Sequence, residues 1–148
     1  MKHYILFLLM SLFVVVSCGG EESLSPFPEL DEATSVNQLF HAQLKWAGSL
    51  KSGVSTNAVH VTLLDKDKAA LTGNVALSAF TLTMPAMGHG TIETDQTIMA
   101  HTDSVGHFMV SGINFMMAGD AGAWVATVAA TVNGTTDVAT VTVLRPVE

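Results

Sequence analysis

The chain has 148 residues, 49% of them hydrophobic and 13% charged, with a formal net charge of −7. That composition suits one globular domain with a short appendage. Six Lys and Arg, with no cluster beyond Lys66 and Lys68, exclude a nucleic-acid interface, which needs grouped cations against phosphates.

The N-terminus reads Met1-Lys2-His3 and then Tyr4 to Val16, an apolar run broken only by Ser11. The run is too short to cross a bilayer as a helix, which takes about 20 residues. It fits the apolar centre of a secretory signal peptide, so residues 1–17 read as a leader. Val15-Val16-Ser17-Cys18 resembles a bacterial lipoprotein box, with cleavage before Cys18 and lipid on its sulfur. The membrane is then a partner through Cys18, and the protein belongs to the bacterial cell envelope. Gly19 after the cysteine, by resemblance to Gram-negative sorting rules, favours the outer membrane. Cys18 is also the one cysteine, which rules out an intrachain disulfide and a CxxC zinc site.

Residues 18–36 contain Gly19-Gly20, Glu21-Glu22, Pro26, Pro28 and Asp31-Glu32, with little apolar periodicity. They read as an acidic tether. The domain is then residues 37–148, where Val, Thr and Ala dominate and period-two alternation recurs. Strands are expected at Phe40–Trp46, Val59–Leu63, Val75–Thr83, Thr91–Ala100, His107–Phe115, Trp124–Thr131 and Asp137–Leu144. A bulge is expected at Gly112. Asp65-Lys66-Asp67-Lys68 reads as a charged turn, and Asn133-Gly134 is the strongest hairpin signal. About seven strands without a helical pattern predict an all-β antiparallel sandwich; a small barrel is the runner-up.

Up-and-down strands then place the loops. Met84–Gly90, Met116–Gly122 and Ala47–Asn57 share one end, with His60 just inside it. His101, Asp103, His107 and Asn133-Gly134 belong at the other.

Met84-Pro85-Ala86-Met87-Gly88-His89-Gly90 concentrates soft ligands. Thioethers favour Cu(I) and imidazole suits copper, zinc, iron and nickel, so the mixed set points to copper. The candidate metal ligands are Met84, Met87 and His89, with Met116 and Met117 from the facing loop. A blue-copper electron-transfer site needs a thiolate, and Cys18 is assigned to lipid, so the expected cofactor is Cu(I) carried or buffered. The same methionines also suit core filling or a contact patch for an envelope protein partner. His101 and His107 with Asp103 form a second, weaker Zn(II) or Ni(II) candidate, and Asp120 is a possible oxygen ligand. No nucleophile elbow, His-Glu-x-x-His or phosphate loop is present, and no enzyme is expected.

The heptad Met84–Gly90, then Gly106-His107-Phe108, then Phe115-Met116-Met117-Ala118-Gly119 with Trp124, resembles the YtkA-like domain, a family related in pattern to the FixH proteins. The resemblance spans roughly Val59 to Val143. It implies an immunoglobulin-like β-sandwich in the bacterial envelope, often lipid-anchored, with copper handling a recurring suggestion. Carried over, that suggestion falls on Met84, Met87, His89, Met116 and Met117. Asp120-Ala121-Gly122-Ala123 lengthens the link that in this family is commonly one or two residues.

Overall fold

A computed structural model describes residues 30–91 and 95–148. The leader, Cys18 and the tether as far as residue 29 lie outside the described residues. Among the described residues, nine strands form two antiparallel sheets: β1 (Asp31–Thr34), β2 (His41–Trp46), β3 (Asn57–Leu64), β4 (Val75–Met84), β5 (His89–Gly90), β6 (Thr97–Ala100), β7 (His107–Ile113), β8 (Val125–Val132) and β9 (Thr135–Thr142). One sheet has the order β1-β2-β3-β7-β6 and the other β5-β4-β8-β9. The fold is an all-β sandwich.

Alternation explains the layers. On β3, Val59, Val61 and Leu63 are buried while His60, Thr62 and Leu64 are only half covered. On β8, Ala126, Val128, Ala130 and Val132 are buried, and the residues between them are half covered. Each large side chain so buried contributes roughly 1.5–3 kcal/mol. The centre is aromatic: Phe115 meets Trp124 edge-on at 5.0 Å, and Trp46 lies 5.8 Å from Phe115. Phe40, Leu44 and Leu82 are also fully covered.

Two turn features form as the sequence predicts. Asn133 and Gly134 both have positive φ, 51° and 85°, as a two-residue type I′ hairpin requires. Gly112 has φ 73°, and the β3–β7 register slips by one residue there, which makes it a bulge.

Two expectations need correction. The tether does not extend to Val36, because Asp31–Thr34 is an edge strand paired with β2. Buried Asp31 fixes it, accepting from the Trp46 indole N–H at 2.8 Å and from the Leu144 N–H at 3.1 Å. A fragment meant to fold must therefore begin before Asp31. The strand expected over Thr91–Ala100 is also divided. His89–Gly90 pairs with β4, Thr91 donates to Leu82 O, and Thr97–Ala100 pairs with β7 in the opposite sheet. The chain changes sheets between these two short edge strands.

Candidate metal centre at the loop end

β4 and β5 form a hairpin whose turn is Pro85 to Gly88. Met87 N donates to Met84 O at 3.1 Å, and Gly88 turns the chain at φ 65°. The closing pair is Met84 opposite His89. Cross-strand partners project from the same face of a sheet, with β-carbons about 4.5–5.5 Å apart. The register thus places Met84 and His89 opposite each other on the hairpin, with Met84 buried in the core and His89 exposed.

The opposing loop comes close. A β-carbon at Gly119 would stand 2.7 Å from Met84 Cε and 3.2 Å from Trp124 Nε1. Gly119 exchanges two backbone hydrogen bonds with Val147, and Ser52 N donates to Glu148 O. Leu50 and Val147 are also bridged. The loops at residues 47–56 and 116–122 and the segment 145–148 thus close one end of the sandwich around Met84. The longer link at Asp120–Ala123 is taken up in a turn, with Ala123 N donating to Asp120 O and Gly122 N to Val143 O. Asp120 turns the chain there.

The five candidate ligands divide by exposure. Met84 is 5% exposed and packs in the core, and Met117 is partly buried against it. Met87 and Met116 are 57% and 53% exposed, and His89 is exposed. Among the described residues, no three His, Cys, Asp or Glu side chains gather to hold a metal. An ion at this end would depend on sulfur. The accessible set of Met87, Met116 and His89 has the soft character that fits Cu(I). Met84 anchors the hairpin from below.

Beside Gly119 the Trp124 indole is 1% exposed, and its N–H has no hydrogen-bond partner. Such a buried donor is unusual in a folded core.

The histidines sort differently. His101 and His107 lie on the far end of the sandwich from Met84, at the β6–β7 turn, as the strand count predicts. They flank a cleft of about 330 Å³ that Gly73, Asn74 and Val75 close from the other side. Asp103 does not join them, since its carboxylate accepts from the neighbouring Thr102 hydroxyl at 3.3 Å. His60 does not approach the loop end. Its ring lies 6.0 Å from that of His101 on the outer face of the five-stranded sheet.

The carboxylates with lowered pKa values are structural, and the composition gave little sign of them. Asp137 is buried, and burial pushes its pKa upward. The Ser35 hydroxyl and the N–H groups of Val138, Asn37 and Leu39 outweigh that and hold the carboxyl down at about 2. Glu32 is held at about 2 by the Lys68 ammonium, 2.7 Å away, with His41 and Gln43 adding hydrogen bonds at 3.1 Å. Each group ties β1 or the segment after it to a neighbouring element.

No protein-family model, no curated protein and no solved structure matches the chain.

Proposed function

We propose that this protein is a lipid-anchored envelope lipoprotein, attached through Cys18, that binds Cu(I) at the loop end of its sandwich and buffers or delivers it without catalysing a reaction. The carrying observation is the approach of the Met116–Gly122 loop to the Met84–Gly90 hairpin, where Gly119 lies against Met84 and the two loops carry the exposed Met87, His89 and Met116. Exposed sulfurs at Met87 and Met116 suit exchange with another protein, because an incoming ligand reaches the ion without unfolding the cap. The resemblance to the YtkA-like domain supports this reading, and with it an immunoglobulin-like arrangement of the two sheets.

The test is an anaerobic competition titration of the full-length chain in detergent against a Cu(I) chelator. Wild type is expected to compete. Replacing Met87 and Met116 by Leu and His89 by Gln should abolish the ion bound at this end. Undiminished Cu(I) binding in that triple variant would sink the proposal.

The exposure of Met87 and Met116 also favours a second reading, an adaptable contact patch for an envelope partner. Partner capture that needs Met87 and is indifferent to copper would select it.

A further inference from the structure

Outward-facing residues of the five-stranded sheet form rows across β2, β3, β7 and β6. One row reads Lys45, His60, Met109, Met99, from the pairings Lys45↔His60, His60↔Met109 and Met99↔Met109. The next reads Gln43, Thr62, His107, His101, where His101 N donates to His107 O at 2.9 Å and so continues the β6–β7 ladder. Two adjacent rows thus hold three imidazoles and two thioethers. The sequence scatters these residues over fifty positions.

The rings of His60 and His101 reach across β7 toward each other, with centroids 6.0 Å apart and planes inclined by 25°. An imidazole nitrogen binds a transition metal at about 2.0–2.1 Å, and the ring centre lies about 1.1 Å behind it. Two rings sharing one ion therefore have centroids roughly 5–6.5 Å apart, depending on the angle at the metal. The observed spacing lies within that range, and it is too long for face-to-face contact. His107 is turned aside, with Nδ1 3.5 Å from Thr62 Oγ1. Met99 and Met109 line a shallow depression of about 280 Å³ together with His101. Met109 is half-buried and Met99 is 53% exposed.

We infer that His60 and His101, with the Met109 thioether and Met99 beside it, form a Cu(I) site on the outer face of the five-stranded sheet, separate from the loop end. Zinc is disfavoured by the donor count. It takes four ligands, mostly nitrogen, sulfur anions or carboxylate, and among the described residues no third such group joins the pair. Cu(I) accepts thioether sulfur and imidazole together. His60, Met99 and Met109 stand on strands, and His101 directly follows β6, held by its N–H to His107 O.

The experiment is Cu(I) stoichiometry by anaerobic competition on the full-length chain in detergent, followed by X-ray absorption at the copper edge. Wild type is expected to bind two ions. The Met87→Leu/His89→Gln/Met116→Leu variant should retain one, with both nitrogen and sulfur scatterers. Adding His60→Gln and His101→Gln should remove it. In that same loop-variant background, Met99→Leu/Met109→Leu in place of the histidine changes should leave an ion with nitrogen scattering and no sulfur, or lose it. Zero ions in the loop variant, or an unchanged count after His60→Gln/His101→Gln, overturns this site. One ion that ignores the loop substitutions and vanishes with the histidines supports it and refutes the loop reading instead. These side chains face outward, so the melting temperature of each variant, expected near wild type, separates ligand loss from unfolding.

Discussion

Met84 and Gly119 are matched in shape: the thioether methyl occupies the space in which any β-carbon at residue 119 would stand, 2.7 Å away. Trp124 crowds the same point from the other side, at 3.2 Å. Gly119→Ala should therefore displace Met84 and destabilise the domain by about 1–2 kcal/mol, the usual range for an overfilled core. Met84→Ala should cost more, about 2–5 kcal/mol, through the cavity it leaves. Met84→Leu should cost under about 1.5 kcal/mol. Urea melts of the three variants check the order. A Met84→Ala variant as stable as wild type would refute the packing role.

Trp124 supplies an optical readout for the loop end. Its buried indole lies under the loop that carries Met116 and Met117. Cu(I) binding at Met87, His89 and Met116 should quench its fluorescence, and Trp124→Phe should remove most of that response. A titration that fills the loop site with no change in emission would place the ion elsewhere.

Asn57 organises the loop between β2 and β3. It is buried, its side-chain oxygen accepts from Lys51 N at 2.8 Å, and its amide donates to the carbonyls of Lys51, Val54 and Ile113. Asn57→Ala strands these groups at the sandwich end and should cost about 3 kcal/mol. Asn57→Asp keeps the acceptor for Lys51 and loses the donors, so it should also destabilise. Hydrogen exchange at residues 47–56 should accelerate in both variants.

Acid stability follows from Asp137 and Glu32. Both have folded pKa values of about 2, below their ordinary 3.8 and 4.5. A depressed carboxyl contributes stability above its unfolded pKa and loses it as pH falls through the folded one. Stability should therefore decline as pH drops from about 4.5 toward 2. Asp137→Asn should flatten that decline and lower stability at neutral pH. The Glu32–Lys68 pair is half open to solvent, so its share should shrink in high salt. The Asp137 share should not. Denaturant melts across this window, at low and high salt, separate the two.

Gly112 carries a bulge that nothing larger fits. A β-carbon there would lie against the Asp95 carbonyl, and φ is 73°. Gly112→Ala should destabilise by at least about 2 kcal/mol, from left-handed backbone strain and the clash together. An unperturbed melt would show that the bulge relaxes.

Where one side chain in two meets the core, the sequence displays the strand directly, and Val59-His60-Val61-Thr62-Leu63 is such a case. Asn133-Gly134 and Gly112 were legible for a different reason, since their backbone angles admit few residues. Asp31–Thr34 was hidden because its anchor is a charge. Asp31 is buried by two long-range hydrogen bonds, from Trp46 and Leu144, that no local pattern announces. Thr91–Ala100 misled because both short strands lie at sheet edges, where the alternation between covered and open positions is weak; all four residues of β6 are exposed. The facing of the Met84 and Gly119 loops followed from counting strands. The distribution of methionines between core and surface did not, because thioethers suit both. The meeting of His60 with His101 depends on β7 lying between β3 and β6, a neighbour relation that sequence order conceals.

The edge strand β1 runs antiparallel to β2, with Asp31 opposite Leu44 and Thr34 opposite His41. The polypeptide preceding residue 30 therefore departs from the same pole of the sandwich as Met87 and His89. A lipid at Cys18 would be separated from Leu30 by eleven residues, at most about 40 Å of extended chain. Under the proposed lipidation at Cys18, the methionine pole is the end nearer the point of attachment and the His101 pole the end farther from it.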